Sequence, residues 1–329
     1  MNTPLDKTAL HTLRDLVRTR AARNGEDLAY AFLGEDLRIE ERLGYAGLHQ
    51  AAQAVASSLA GHVQAGDRVL LALRNGLDAV RLFWGCIEAG AIPVPAPAPD
   101  EKNAKASESR LGGMAADAGA ALAVAAAGHL AAARTQVPGV RWLSPGDLLG
   151  DATGGAAPQP ATPGDLHSVA YLQYTSGSTR QPRGVEVSHA NVLAQCKALD
   201  ETMAAGLPHV SALVWLPWFH DYGLLHGLIQ PVYTGAPAYL MATHRFLLNP
   251  LKWLEAIGRY RVTHSGAPNF AYQACVEALR RTPGWSADLR HWRFATCGAE
   301  PVRAATLDAF ADAFAPHGFQ RSALAPSYG

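Results

Sequence analysis

The chain has 329 residues, 49% of them hydrophobic and 17% charged, enough apolar surface to bury the core of one large domain or two smaller ones. Lys plus Arg and Asp plus Glu both number 28, so no basic field points to nucleic acid or to an anionic membrane, and any charged ligand must be met locally. Cys86, Cys196, Cys275 and Cys297 lie far apart with no CxxC or Cys/His pairing, which argues against zinc and a disulfide framework and for a reducing cytoplasm.

The N-terminal stretch carries Asp6, Asp15 and dispersed arginines but no apolar segment of a signal peptide, and no window approaches a spanning helix, so membrane insertion is not expected. Leu10, Leu13, Leu16 and Val17 predict an amphipathic helix over residues 8–23, followed by two short strands around AYAFLG and RIEERLGY that open the fold as a meander. YAGLHQAAQAVASSLAGH reads as a helix, DRVLLAL as a continuous apolar strand, GLDAVRLFWGCIEAGA as a helix apolar nearly all round, and IPVPAP as another strand. This is a βαβ unit whose strands are covered on both faces. A weaker copy follows: a helix over 103–118, the strand ALAVAAA, a further helix and the strand VRWLS. The Pro, Gly and Ala stretch GDATGGAAPQPATPGD then predicts a surface linker. The expected organisation is an α/β fold with mostly parallel sheets covered by helices: a first subdomain at 1–150, a linker at 151–164 and a second subdomain at 165–329.

That second half opens with LQYTSGSTRQPRGVEVSH. Thr175, Ser176, Gly177, Ser178 and Thr179 lie between an apolar strand and an expected helix start. The run offers backbone N–H groups, hydroxyls that donate without bulk, and glycines at 177 and 184 that let the backbone come close, the equipment for wrapping phosphate oxygens. Arg180 and Arg183 add positive charge. The spacing is not that of a Walker loop, and Pro182 falls inside it. Composition alone fits a Ser/Gly surface turn equally well.

Further on, SALVWLPW, 211–218, reads as an apolar strand whose end delivers His220 and Asp221, where ligand groups of open α/β sheets cluster. Taken alone, such a pair is more often a structural hydrogen bond. In GLLHGLIQPVYTGAPAYLM, Gly223, Gly227 and Gly235 facing large apolar residues are compatible with a hydrophobic tunnel or with helix packing, and periodicity favours packing; His226 is read as structural. NPLKWLEAIGRY predicts a helix with Asn249 as N-cap, Pro250 at its first position and Leu251, Leu254 and Ile257 inward. RVTHSGAPNFAYQACVEAL predicts a strand, a glycine turn and a helix, with Gly266, Ala267, Asn269 and Phe270 at the junction. HWRFATC is a strand ending in Gly298, Ala299, Glu300 and Pro301, and the next helix turns Leu307, Phe310 and Phe314 to the core.

These segments together resemble the adenylate-forming superfamily of acyl-CoA synthetases, peptide-synthetase adenylation domains, luciferases and fatty acyl-AMP ligases. TSGST with the later PRG is similar to its phosphate loop, WLPWFHDYGL to its LPxxHDxGL segment, HSGAPNFAYQAC to its substrate-pocket strand and helix, and CGAEPVRAATLDAF to its adenine-side loop. The motifs follow in order from about residue 8 to the end, and their wording looks most like the fatty acyl-AMP ligases. The commonest superfamily pattern has Gly where Arg180 stands and Lys where Arg183 stands; an Arg pair is familiar among fatty acyl-AMP ligases, so the departure narrows the subfamily. An arginine cannot give up its proton, so its part is to hold charge or anchor the loop.

The resemblance implies ATP and Mg2+ as cofactors, and a reaction in which a fatty acid carboxylate attacks the α-phosphate of ATP to give an acyl-adenylate and pyrophosphate. The acyl group is then passed to the phosphopantetheine arm of an acyl carrier protein. It implies Thr175, Arg183 and His220 in catalysis, Thr175 to Thr179 around phosphate, Gly298 to Pro301 and Tyr328 on the two faces of adenine, and His220, Asp221, Gly223, Gly227, Ser265, Gly266, Ala267, Asn269 and Phe270 around the acyl group. Thr175 or Thr179 would touch magnesium indirectly, with its main ligand expected beyond Gly329, and a C-terminal small domain is expected to be absent. The chain is thus expected to be an incomplete part of a longer ligase, weakly active or inactive alone. An acyl-CoA synthetase, and a non-catalytic acyl- or nucleotide-binding fragment, are the alternatives.

Overall fold

A computed structural model describes residues 10–150, 165–175, 182–204 and 206–328. In chain order its strands are β1 (Leu28–Leu33), β2 (Ile39–Gly44), β3 (Arg68–Ala72), β4 (Ile92–Ala96), β5 (Leu122–Ala125), β6 (Trp142–Leu143), β7 (Val169–Tyr174), β8 (Gly184–Ser188), β9 (Ala212–Val214), β10 (Ala238–Met241), β11 (His264–Ala267), β12 (Phe294–Cys297) and β13 (Leu324–Pro326). They fall into two compact units. One holds Met1–Asp27, Leu43–Ala198 and Pro217–Asp221; the other holds Leu28–Arg42, Leu199–Leu216 and Tyr222–Gly329.

The first unit carries the four-stranded sheet β4-β3-β5-β6, all of its pairs parallel. Val69 to Ala72 and Leu122 to Ala125 are fully buried, as a near-continuous apolar run covered on both faces requires. The helix Leu13–Asn24 opens with a capping box between Thr12 and Asp15. Leu10, Leu13, Leu16 and Val17 are buried, as their spacing predicts.

One local expectation is corrected by the fold. The loop after β7 does not lead into a helix: β8 follows and pairs antiparallel with β7 from Tyr174↔Gly184 back to Val169↔Ser188. Only then does the helix His189–Leu199 begin. The alternation of Val185 and Val187 with polar residues is a strand's period of two, which the glycines and hydroxyls before it obscure.

The second unit carries the seven-stranded sheet β13-β12-β11-β9-β10-β1-β2. From β1 through β13 the pairs run parallel. Successive strands step one way from β9 to β10 and the other way from β9 to β11, so the chain reverses its winding beside β9. In such sheets ligands lie outside the carboxyl ends of the strands at the reversal. The core behind it is aromatic: Trp253 stands edge-on to Trp292 and Tyr272, and Tyr272 edge-on to Phe310. Leu251, Leu254 and Ile257 face inward as expected. Pro250 is itself the cap of the helix Leu251–Arg259, and Asn249 accepts the Leu251 N–H through its side chain.

The units interleave in sequence. The stretch expected to separate two subdomains, 151–164, lies outside the described residues, while β1 and most of β2, from the N-terminal part of the chain, belong to the second unit because β1 pairs with β10.

Candidate active site

In the first unit the carboxyl end of β7 brings together the front half of the sequence-predicted site. Thr175 is exposed just after the strand, and Ser176, Gly177, Ser178 and Thr179 lie outside the described residues. Gln173, buried on β7, donates to the Phe219 carbonyl at 2.9 Å, so the turn carrying His220 is tied to the strand that carries Thr175. The other side of that turn is held by Trp218, whose backbone N–H donates to Asn75 Oδ1 at 3.0 Å and whose indole N–H donates to the Leu73 carbonyl at 2.8 Å. His220 Nδ1 lies 2.6 Å from Asp221 Oδ1. Both side chains are partly exposed, so the pair can meet a ligand.

This delivery differs from the expected one. The strand ends at Val214 instead of running to Trp218, and Pro217–Asp221 belongs to the first unit. Pro217 has no N–H for a sheet, and both N–H groups of Trp218 are used elsewhere.

On the second unit a groove enclosing about 620 Å³, part of it open to solvent, runs along one sheet face. In the parallel register His264 lies beside both Ala212 and Phe294. Ala212, Val214, His264, Gly266, Phe294 and Thr296, two residues apart along their strands, therefore share that face and line the groove. Opposite them stand Tyr222, His226, Gln230 and Thr234 at four-residue spacing on the helical stretch 221–234. Tyr222 donates to the Thr296 carbonyl at 3.1 Å and is also hydrogen-bonded to Thr296 Oγ1. Gly266 makes room for this: a Cβ there would lie 1.9 Å from Thr296 Oγ1 and 2.2 Å from the Tyr222 hydroxyl. Burial raises the Tyr222 phenol well above its ordinary pKa, so it stays a neutral donor. Burial lowers that of His264, whose ring bonds Thr263 Oγ1 at 2.8 Å and the Met203 carbonyl at 2.9 Å.

The sequence-predicted acyl residues are thus scattered. Ser265 and Gly266 line the groove. Ala267 is fully buried, and Gly227 backs onto Val214 behind the lining. Gly223 is buried at the start of a short helix. Asn269 is occupied, accepting the Arg303 N–H at 2.9 Å and donating to Thr306 at 3.3 Å. Phe270 is on the surface, edge-on to Trp215 and Phe246. Tyr222, His226, Gln230 and Thr296 were missed, although the spacing 222, 226, 230, 234 is a helical stripe legible in the sequence.

Two residues beyond Thr296, just past the end of β12, the chain packs closely against its neighbour. A Cβ on Gly298 would lie 2.7 Å from Ser327 Oγ and 2.8 Å from the Ser327 carbonyl oxygen, and Ala299 adopts a left-handed φ of 65°. The neighbouring β13, in register at Cys297↔Pro326, delivers Tyr328, which is fully exposed at 102%. Glu300 serves the scaffold, since its carboxylate accepts the Phe270 N–H at 2.6 Å and so caps the helix Asn269–Arg280. Burial, then the charge of Glu300, pushes the Cys297 thiol up to about 11, leaving it unreactive at neutral pH.

Among the described residues no three His, Cys, Asp or Glu side chains gather as a metal site. Of the residues that the sequence reading sets near magnesium, Thr175 is exposed just after β7 and Thr179 lies outside the described residues.

A family model described as AMP-binding enzyme matches residues 17–329. The chain belongs to the AMP-binding enzyme family. This family member is 36% identical, over 99% of its length and 55% of the relative, to a medium-chain-fatty-acid–[acyl-carrier-protein] ligase of Moorena producens. It is 34% identical, over 97% of its length and 52% of the relative, to a 4-hydroxyphenylalkanoate adenylyltransferase of Mycobacterium marinum. Among solved structures it is similar to the fatty acyl-adenylate ligase of L. pneumophila in complex with acyl adenylate and pyrophosphate, with a TM-score of 0.91 and 34% identity over 99% of this chain and 56% of that one. The chain spans about half the length of the curated relatives it matches. No described helix is long and apolar enough to cross a membrane.

Proposed function

We propose that this chain is the part of an ATP-dependent acyl-activating ligase that binds the acid and the adenosine, and that its whole protein makes an acyl-adenylate and pyrophosphate. The observation that carries this reading is β12: Thr296 lines the groove and, two residues on, the backbone at Gly298 packs close against Ser327 of the adjoining segment, which carries the exposed ring of Tyr328. In this reading the acid lies along the groove and adenine rests between the backbone of Gly298 to Pro301 and Tyr328.

In the reaction a carboxylate oxygen forms a bond to the α-phosphorus of ATP, the bond from that phosphorus to the bridging oxygen breaks, and pyrophosphate leaves with the electron pair. A carboxylate is a weak nucleophile toward a polyanion, so the protein's contribution is positioning and charge neutralisation. Thr175 and the loop it opens hold phosphate oxygens, Arg183 supplies charge at the loop's far stem, and His220, oriented by Asp221, meets the charge developing on carboxylate and phosphate. A fatty acid as substrate, with an acyl carrier protein as acceptor, is supported by the relative from Moorena producens. A hydroxyaryl acid is the second reading. It is favoured by Tyr222, His226, Gln230 and Thr234, polar side chains that line the groove together with Ala212, Val214 and Phe294.

The test is calorimetric titration with acyl-sulfamoyladenosines of increasing chain length, one ending in a hydroxyphenyl group, with AMP as control. Affinity that rises with the acyl part supports the reading and reveals the preferred acid. Equal affinity for AMP and every analogue would remove the groove from the site.

A further inference from the structure

We propose that Asp117 is a positioning residue for the phosphate loop, latching its two stems together from a neighbouring helix. The inference rests on the proposed function in taking 175–183 as that loop. The Asp117 Oδ2 atom accepts from the Tyr174 hydroxyl at 2.6 Å and from the Gly184 backbone N–H at 3.0 Å. Tyr174 is the last residue of β7 and Gly184 the first of β8, so one carboxylate oxygen grips both ends of the segment between them. Tyr174 also reaches the Met114 carbonyl at 3.3 Å, and its ring lies where a Cβ on Gly184 would meet it at 3.0 Å. One turn of helix thus holds both stems in contact.

Two further features favour a latch over an incidental bond. Asp117 sits in the last turn of the helix Ala104–Ala118, where the helix dipole disfavours a carboxylate, so the fold gains nothing from an acid there unless it serves the hairpin. Its acidity agrees: the Tyr174 hydroxyl first, then the Gly184 N–H, and also the charge of Arg183, hold its pKa below the ordinary value although the group is exposed. The hairpin itself is a two-stranded sheet, a structure of marginal stability by itself, so a carboxylate that bonds both strands at their facing ends stabilises their pairing.

Hydrogen exchange on the ligand-free chain, compared among wild type, Asp117→Ala, Asp117→Asn and Tyr174→Phe, reads the latch directly, and ATP titration of the same proteins reads its consequence. The expectation is roughly tenfold faster exchange at 184–188 in Asp117→Ala, with a smaller rise in Asp117→Asn because a neutral acceptor makes the weaker bonds. Tyr174→Phe falls between them, and β3 is unchanged. ATP affinity should fall in the same order while affinity for adenosine, which has no phosphate, stays constant. Unchanged exchange at 184–188 overturns the latch, and acceleration that spreads to β3 overturns it as a local device. A loosened hairpin with wild-type ATP affinity overturns the positioning role. A loosened hairpin in a wild type that never binds ATP upholds the latch and overturns the phosphate-loop reading instead.

Discussion

Gly266 shows how a single side-chain hydrogen can decide whether a groove exists. Its missing Cβ is the space in which Tyr222 and Thr296 meet, and both partners are held by other bonds, Thr296 through its carbonyl to Tyr272 at 2.8 Å. Gly266→Ala should therefore push Tyr222 into the groove, cost about 1–3 kcal/mol as overpacking does, and weaken acyl-analogue binding more than AMP binding. Thermal melts and the same titration check both. At the loop, Thr175→Ala or Gly177→Val in a full-length version should lower pyrophosphate release far more than Arg280→Ala on an exposed turn of the helix Asn269–Arg280. Equal losses would sink the phosphate-loop assignment. Motif order in the sequence placed Gly266, Gly298 and His220 among the expected site residues. It could not reveal the bonds by which Asn269 and Glu300 also cap and bridge helices, which only the fold shows.

At the scale of elements, hydrophobic periodicity located the helices and parallel strands of the first unit closely, because a strand buried on both faces and a helix with one apolar stripe leave different spacings. It failed where short elements are set by distant partners: β8, recognisable by pairing with β7, and β9, three residues long before Pro217 and Trp218 take the chain elsewhere. The start of the helix His189–Leu199 is fixed by a contact no local pattern could reveal. The Leu13 N–H donates to His189 Nδ1 at 3.2 Å, and burial lowers the imidazole pKa to about 4. An unfolded histidine titrates near ~6.5, so between those values the unfolded chain binds the proton that the folded chain refuses. The stability this contact contributes is complete above about pH 6.5 and is lost as pH falls toward 4, by at most ~3 kcal/mol. His189→Asn, which keeps an acceptor without a titrating ring, should flatten the fall in urea midpoint between pH 7 and pH 5. Burial lowers His264 as well, so the flattening should be partial. An unaltered pH slope in the variant would assign the effect to other groups.

For the whole molecule, the order of segments along the chain and their membership in compact units are different things. A cut at residues 151–164, natural from composition, would give a piece from 165 onward that lacks residues 28–42. That piece would lose β1, which pairs with β10 through Tyr30↔Ala238 to Leu33↔Met241, and would lose Leu33 and Leu37 from the core of the second unit. It would also lose the 2.5 Å hydrogen bond from the Tyr30 hydroxyl to the Leu228 carbonyl, in the helical stretch that roofs the groove. Each large side chain so removed is worth about 1.5–3 kcal/mol of burial, and three of them approach the roughly 5–15 kcal/mol that a domain has in total. The loss also leaves β10 as an open apolar edge prone to pair with other chains. Residues 165–329 expressed alone should therefore show no cooperative thermal transition and should aggregate on warming, whereas the 329-residue chain should melt cooperatively. A soluble, cooperatively melting 165–329 would mean that β10 tolerates the loss of its neighbour and that the groove can be studied apart from the N-terminal part of the chain.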